Sequence, residues 1–197
     1  MVIYNKKQDL WLMAWDLYDP EALYVKDYQK RPETYFDDRV TKARKNLVIS
    51  RCDIKTSFDY GCGMQPFHYD IETGESSCLG LWDKYVPEFK EFNSESFFNS
   101  KTLLLFDVLE HIYDPHSFLL TLPQKRLILT LPVFPEKINS LEQLKGWRHY
   151  KPGEHTLYTT EDGIIDIVTE SGWNVEYKGY DECPPRLDIL SLVLTRK

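Results

Sequence analysis

The stretch Phe58-Asp59-Tyr60-Gly61-Cys62-Gly63-Met64-Gln65-Pro66 joins a short apolar run to a turn with two glycines. The residues from Ser57 to Tyr60 predict a buried strand, and Pro66 is suited to the first turn of a helix. Glycines at such a turn let the backbone bend tightly and approach a ligand without an intervening side chain. The stretch therefore predicts a ligand-binding turn at the end of a strand.

A carboxylate follows the next predicted strand, which runs from Cys78 to Trp82. Asp83 comes directly after this strand and lies 22 residues beyond Gly61. A carboxylate at this position can accept hydrogen bonds from both hydroxyl groups of an adenosine ribose. Together, the glycine turn and Asp83 predict a nucleoside site at the carboxyl end of an open sheet.

Beyond Asp83, the chain alternates short apolar runs with helical patterns. The runs Thr102 to Phe106 and Arg126 to Leu131 predict two further strands. Between them, Asp114-Pro115 predicts the beginning of a crossover helix. This alternation is typical of a mostly parallel, twisted sheet that is covered by helices on both faces.

The last part of the chain predicts one more helix and two strands. Thr159 and Asp162 resemble a capping box at the start of the helix. The strands are expected at Trp173 to Tyr177 and at Ile189 to Leu194. Because the connection containing Pro184-Pro185 is too short for a helical crossover, these strands should form an antiparallel hairpin. We therefore expect an α/β fold with an antiparallel C-terminal strand near one edge of the sheet.

Residues 1–51 are expected to form a helical lead-in, and residues 52–197 the main domain of a single compact unit. Apolar residues at helical spacing predict a helix from about Pro32 to Ile49. The segment from Lys26 to Arg51 holds eight Lys or Arg and four Asp or Glu residues, a local charge of +4. This charge fits either a solvated helix face or a surface that binds an anionic acceptor.

The composition excludes several classes of protein. The 197 residues are 42% hydrophobic and 28% charged, as in a soluble globular protein. No apolar run approaches the roughly 20 residues of a membrane-spanning helix. The net charge of −7 disfavours nucleic acid as a partner. Because the four cysteines form no CxxC pair, we expect reduced thiols and a cytoplasmic location.

The residues around the two glycines also indicate the kind of nucleoside. The dinucleotide pattern GxGxxG requires a third glycine where this chain has Pro66, which weighs against NAD. Asp59 precedes Gly61 by two residues. Its carboxylate would repel a pyrophosphate but could organise the turn around an ammonium group or a ribose. The turn therefore favours a cationic nucleoside.

This pattern resembles the first motif of the class I S-adenosylmethionine-dependent methyltransferases, an acidic residue followed by a GxG turn. Asp59, Gly61 and Gly63 match the motif, and Gln65 stands at the family's third glycine position. The stretch from Phe106 to Pro115 is similar to the Asp-x-Leu-Glu-His-x-x-Asp-Pro signature of the branch that contains many small-molecule methyltransferases. The resemblance begins at about Phe58 and continues to the C-terminus.

The resemblance implies a Rossmann-like fold, S-adenosylmethionine as the cofactor and a small molecule as the methyl acceptor. It implies that Asp83 is the acid that binds the ribose. The implied cofactor contacts are Asp59, Tyr60, Gly61, Cys62, Gly63, Trp82, Asp83, Asp107, Val108, Leu109 and Glu110.

Three histidines are candidates for accepting a proton from the methyl acceptor, because a histidine pKa lies near neutral pH. The resemblance places His111 beside the reactive end of the cofactor. His149 and His155 follow in the long connection after the fifth predicted strand of the family pattern. We expect no metal site, because neither His149 with His155 nor His111 with His116 has helical ligand spacing.

The sequence thus predicts an enzyme that methylates a small molecule, and it leaves alternatives open. These are an RNA- or protein-directed methyltransferase, a non-catalytic S-adenosylmethionine-binding module and a nicotinamide-dependent oxidoreductase. In the long connection, Trp147 and Tyr150 could stack on an aromatic acceptor or pack the loop against the body of the protein.

Overall fold

A computed structural model of the chain shows an α/β fold. It describes residues 2–5, 10–13, 38–64, 66–70, 72–135, 137, 139–182, 184 and 186–197. The described strands are β1 (Val2–Asn5), β2 (Leu10–Met13), β3 (Ser57–Tyr60), β4 (Tyr69–Asp70), β5 (Glu75–Ser76), β6 (Gly80–Trp82), β7 (Thr102–Phe106), β8 (Arg126–Pro132), β9 (Leu157–Thr159), β10 (Trp173–Gly179) and β11 (Ile189–Arg196). The described α-helices are α1 (Asp38–Ile49), α2 (Ser94–Asn99), α3 (Pro115–Thr121), α4 (Leu141–Lys145) and α5 (Glu161–Glu170).

In the described part of the chain, the central sheet has six strands in the order β10-β11-β8-β7-β3-β6. The strands β6, β3, β7 and β8 are parallel to one another, and β11 is antiparallel to both of its neighbours. The predicted sheet, mostly parallel with an antiparallel C-terminal strand near its edge, is confirmed. Because β6, β3 and β7 are adjacent and parallel, the loops that follow them lie at the same edge of the sheet.

The two faces of the sheet are covered by different helices. Leu103 and Leu105 of β7 belong to the larger apolar core, which includes residues of α3 and α5. The alternate residues Leu104 and Phe106 belong to a second cluster, which includes Leu47 and Val48 of α1. Successive side chains of a strand point to opposite faces, so β7 is buried on both sides. The expectation of helices on both faces is therefore confirmed.

Most strand and helix predictions are confirmed, with small shifts of their ends. The strands β3 and β7 have the predicted bounds, whereas the strand predicted from Cys78 begins at Gly80. Asp114 caps α3 as expected, since its Oδ1 accepts a hydrogen bond from the N–H of Ser117 at 2.9 Å. Of the helix predicted from about Pro32, the structure shows α1, and residues 32–37 lie outside the described ranges.

The capping residue of α5 was predicted one position too early. Thr160, not Thr159, caps the helix, and its Oγ1 accepts from the N–H of Gly163 at 3.2 Å. Thr159 instead belongs to β9 and pairs with Leu10 of β2. Pairing with a distant strand thus decides which of two adjacent threonines begins the helix.

A second sheet of the described residues, in the order β1-β2-β9, was not predicted. All of its strands are antiparallel, and β2 joins the N-terminal segment to β9 near the C-terminal helix. Residues 1–51 therefore contribute two strands in addition to α1, although only helix was expected there. The pairing with β9 joins residues far apart in the sequence, so local patterns do not reveal it.

Two further expectations concern membrane-spanning helices and the state of the cysteines. Within the described ranges, no helix is both long and apolar enough to cross a membrane. Of the four cysteines, Cys52, Cys62 and Cys78 are free thiols among the described residues, and Cys183 lies outside them.

The packing of α3 can be tested with two adjacent leucines. Leu119 is fully buried, whereas Leu120 is 49% exposed. We expect Leu119→Ala to lower the free energy of unfolding by about 2–5 kcal/mol, because it leaves a cavity in the larger core. The matched control Leu120→Ala should change the free energy by less than about 0.5 kcal/mol. Urea unfolding measures both values, and equal losses would contradict this orientation of α3.

Candidate active site

The turn after β3 is shaped by its two glycines. Gly61 and Gly63 have φ angles of 75° and 70°, in the left-handed region that favours glycine. The N–H groups of Gly61 and Cys62 donate to the carbonyl oxygen of Trp82 at 2.8 and 3.2 Å. A Cβ atom on Gly61 would lie 2.6 Å from Cγ2 of Val108. Both the backbone conformation and the approach of Val108 therefore require glycine at position 61.

Asp83 fastens the loop after β6 to the glycine turn. Its Oδ2 accepts a hydrogen bond from the N–H of Gly63 at 2.9 Å. Its Oδ1 accepts from the N–H groups of Tyr85 and Val86 at 2.8 and 3.2 Å. Burial raises the pKa of Asp83, and these N–H groups oppose the shift. Because a carboxylate oxygen can accept two hydrogen bonds, Oδ2 keeps capacity for a second donor beside the turn.

Asp59 pairs with a histidine that lies outside the sequence motif. Its Oδ2 is 2.7 Å from Nε2 of His68, and Nδ1 of His68 is 3.0 Å from Oγ of Ser76. Asp59 and His68 are both buried. Asp59 thus anchors the segment after the turn from inside the protein, and its direct contact with a cofactor stays a prediction. No sequence signal indicated His68, because the chain between the two residues has no regular periodicity.

Asp107 follows β7 and forms ion pairs with two arginines. It has a φ of 55°, and its Oδ2 accepts from Arg44 and Arg186 at 2.6 Å each. The same two arginines also bind Glu182, Arg44 through Nε at 2.8 Å. Burial opposes the ionisation of Asp107, but the two guanidinium groups outweigh it and lower the pKa of this carboxyl group. The four charged groups form a closed ring that was not predicted, since its members are far apart in the sequence.

The next residues form a short 3-10 turn, Leu109–His111. Val108 contacts the glycine turn, and Leu109 is fully buried in the larger core. Glu110 is 2% exposed, and its carbonyl oxygen accepts from the N–H and the hydroxyl of Thr156 at 2.8 and 3.2 Å. Burial, reinforced by the charge of Asp107, raises the pKa of Glu110 well above its ordinary value. The predicted cofactor segment 107–110 thus contains two acids in contrasting environments.

Two of the three candidate histidines lie together. The ring centroids of His111 and His155 are 4.8 Å apart, with the rings perpendicular. Nδ1 of His111 is 2.8 Å from the carbonyl oxygen of Glu154, so a neutral ring donates from Nδ1 and has its lone pair at Nε2. Burial lowers the pKa of both histidines. Both rings are therefore neutral near pH 7.

The third candidate, His149, belongs to a separate ion-pair group. Its Nε2 is 3.1 Å from Oδ2 of Asp188 and 3.0 Å from Nε of Arg148. Arg148 also binds Asp188 directly. Burial lowers the pKa of His149, and the charge of Asp188 opposes this shift. The structure thus joins His111 with His155 and gives His149 different partners.

The aromatic residues of the long connection pack against one another. The ring of Trp147 lies 5.3 Å from that of Phe134 and 6.5 Å from that of Tyr158. Tyr158 and Leu144 are fully buried in the same cluster. Trp147 and Tyr150 thus pack the loop, and their stacking on an aromatic acceptor stays a prediction. Within the described residues, Nε1 of Trp147 is buried without a hydrogen-bond partner.

The whole fold is similar to that of solved methyltransferases, although no protein-family model and no curated protein matches the sequence. The 1,6-didemethyltoxoflavin-N1-methyltransferase of Burkholderia thailandensis, with bound 1,6-didemethyltoxoflavin and S-adenosylhomocysteine, superposes with a TM-score of 0.65. Its sequence identity is 12%, over 100% of this chain and 99% of that chain.

Two further structures extend the comparison to other acceptors. The magnesium protoporphyrin IX methyltransferase of Synechocystis PCC 6803 has a TM-score of 0.51 and 18% identity, over 89% of this chain and 95% of its own. The 16S rRNA methylase ArmA has a TM-score of 0.50 and 11% identity, over 91% of this chain and 100% of its own. The chain therefore has the fold of the class I S-adenosylmethionine-dependent methyltransferases.

Proposed function

We propose that this protein is an S-adenosylmethionine-dependent methyltransferase that acts on a small molecule. The observation that carries the proposal is the hydrogen bond from the N–H of Gly63 to the buried carboxylate of Asp83. It joins a glycine turn and an acid at the carboxyl ends of two adjacent parallel strands, where open α/β sheets bind their ligands. Because one fold serves many activities, the proposal depends on this site as well as on the fold.

The residues at the turn fit a cationic nucleoside. Gly61 and Gly63 hold the turn beside Asp83, and Oδ2 of Asp83 has acceptor capacity for one ribose hydroxyl. On the next loop, Oδ1 of Asp107 is buried and, within the described ranges, has no hydrogen-bond partner. This oxygen could accept a hydrogen bond from the ammonium group of the cofactor. We include Leu109 in the proposed contacts through its backbone, because its side chain is buried in the core.

The proposed site has a cofactor end at the glycine turn and an acceptor end at the 3-10 turn, and the two ends have different roles in methyl transfer. S-adenosylmethionine supplies, when bound, an electrophilic methyl group on a positively charged sulfur. The protein's main contribution is then to hold the acceptor in line with that group and to exclude water. His111 and His155, both neutral near pH 7, lie beside Glu110 at the end of the 3-10 turn. We assign these residues to the acceptor end of the site.

The charges of the protein support a small acceptor rather than a nucleic acid. The net charge is −7, which repels a phosphate backbone. In the basic segment that could have offset this charge, Arg44 binds Asp107 and Glu182. Arg51 lies over the ring of Tyr177, with its guanidinium carbon 4.1 Å from the ring centroid. These two cations are engaged within the protein.

A second candidate function is RNA methylation, which the likeness to the 16S rRNA methylase ArmA favours. Binding to a short RNA duplex at increasing salt distinguishes the two, because phosphate contacts give an affinity that falls steeply with salt concentration. Tight, salt-sensitive binding would favour RNA as the acceptor. Binding of S-adenosylhomocysteine without methyl transfer to any member of an acceptor library would instead favour a non-catalytic binding module.

We also propose that residues 52–197 form the methyltransferase domain proper. The glycine turn, Asp83 and the 107–111 segment all lie within this range. The preceding segment supports the domain through Arg44, whose guanidinium group binds Asp107 at 2.6 Å.

The proposed role of Asp83 leads to a binding prediction. We expect Asp83→Asn to weaken S-adenosylhomocysteine binding about tenfold to a hundredfold, because hydrogen bonds to a charged group contribute about 1.5–3 kcal/mol. Calorimetry measures the affinity, and thermal unfolding shows whether the variant is still folded. The exposed Asp166 of α5 supplies the matched control, Asp166→Asn, which should bind normally. Normal binding by a folded Asp83→Asn variant would remove Asp83 from the site.

The acceptor end should show the opposite pattern of effects. We expect His111→Ala to lower the rate of methyl transfer by about 10²- to 10⁴-fold, as for loss of a group that handles a proton at the acceptor. Cofactor affinity should change less than about twofold, because the lost contacts lie at the acceptor and not at the ribose. The control is His116→Ala in α3. Full activity of His111→Ala would leave His155, His149 or positioning alone to support the reaction.

A further inference from the structure

Glu110, His111 and His155 form a compact group of potential metal ligands. One ligand atom from each residue lies within 4.8 Å of the other two. Glu110 and His155 are only 2% and 3% exposed. The group combines two segments, the 3-10 turn after β7 and the residues that precede β9. Neither segment alone has the spacing of a metal motif, which is why no metal site was expected from the sequence.

Two polar atoms of this group are left unsatisfied. Within the described residues, Oε2 of Glu110 and Nδ1 of His155 are buried and have no hydrogen-bond partner. Burying a polar atom without a partner is costly, and native proteins rarely leave such atoms unpaired. Here a carboxylate oxygen and an imidazole nitrogen, both good metal ligands, lie in the same small group. A bound cation would give both atoms a partner.

The backbone holds the three residues in place. The carbonyl oxygen of Glu110 accepts from the N–H and the hydroxyl of Thr156, which ties the 3-10 turn to the segment before β9. Nδ1 of His111 is 2.8 Å from the carbonyl oxygen of Glu154 in that same segment. Metal-binding histidines commonly donate their second ring N–H to a carbonyl, which fixes the tautomer and directs the other nitrogen to the metal. Nδ1 of His111 already has such a carbonyl partner.

We propose that Glu110, His111 and His155 bind a divalent transition-metal ion. Two imidazole nitrogens and one carboxylate oxygen suit Zn²⁺, Mn²⁺, Fe²⁺ or Co²⁺, whereas Mg²⁺ and Ca²⁺ prefer oxygen ligands. Ligands about 2.1 Å from a tetrahedral ion are roughly 3.4 Å apart, so small side-chain rotations would complete the site. Three protein ligands leave at least one position for another molecule, as in catalytic metal sites.

The site would select the class of methyl acceptor, and this consequence rests on the proposed function. The open position suits an acceptor oxygen, such as a hydroxyl group. A hydroxyl bound to the metal ion releases its proton to water more readily. The oxygen then forms the bond to the methyl carbon, while the bond between that carbon and sulfur breaks and its electron pair stays on sulfur. In this arrangement His111 and His155 act as ligands, and the loss of activity expected for His111→Ala has the loss of the metal ion as its cause.

Metal binding can be tested without any methyl acceptor. The full-length protein is stripped with a chelator, dialysed against Zn²⁺, Mn²⁺ or Co²⁺, and its metal content is measured. We expect about one ion per chain, and for Co²⁺ the visible absorption of a protein-bound ion. The double variant His111→Ala/His155→Ala should retain only the background level. Glu110→Gln keeps the size of the side chain but removes its charge. This variant should bind the ion at least about tenfold more weakly, because even the loss of a residue that only supports a metal ligand costs about tenfold in affinity.

The controls separate this site from other sources of metal binding. His149→Ala and His116→Ala should bind as the unaltered protein does, because neither residue belongs to the group. Thermal unfolding shows that each variant is folded. No binding by the unaltered protein, or equal binding by the double variant, would overturn the proposal. Metal binding without methyl transfer would support the metal site and count against the proposed function. Methyl transfer by chelated, metal-free protein would support the proposed function and overturn the role of the metal ion in the reaction.

Discussion

The carboxylate of Asp107 is the point at which three distant parts of the chain are joined. Arg44 reaches it from α1, and Arg186 reaches it from the connection between β10 and β11. Glu182, only 3% exposed, balances the second positive charge and closes the ring. Because partly buried charges are tolerated only when they are paired, each member depends on the other three. The placement of α1 and of the C-terminal hairpin beside the candidate site thus depends on the charge balance around Asp107, at the end of β7.

Val108 connects the two halves of the candidate site. Its side chain is so close to Gly61 that even one added carbon atom there would collide with it. Directly after Val108, the chain enters the 3-10 turn that carries Glu110 and His111. The position of the glycine turn and the position of the histidine pair are therefore set by the same short stretch of backbone. In the proposed function, this stretch would align a cofactor at the glycine turn with an acceptor at the histidine pair.

The parts of the fold that could be predicted from the sequence are those that local patterns encode. Leu103 to Phe106 is an uninterrupted apolar run between polar residues, and the strand Thr102–Phe106 has the predicted bounds. The glycine spacing likewise revealed the turn itself. The partners of the motif residues could not be predicted, because His68, Arg186 and Thr156 meet Asp59, Asp107 and Glu110 only through the tertiary fold. The helix cap was predicted at Thr159 for the same reason, because the pairing of Thr159 with Leu10 of β2 is a long-range contact.

The order of strands in the central sheet has a consequence for how the protein is made. β10 precedes β11 in the chain, yet β11 lies between β10 and the parallel strands. During synthesis, a domain generally folds as a unit once enough of its chain has emerged from the ribosome. Here β10 has no position in the sheet until residues 189–196 have also emerged, so its inward edge stays unpaired until then. The sheet closes late, and Arg186, located just before β11, reaches Asp107 at the same stage. The ion-pair ring around Asp107 is therefore completed at the same stage as the central sheet.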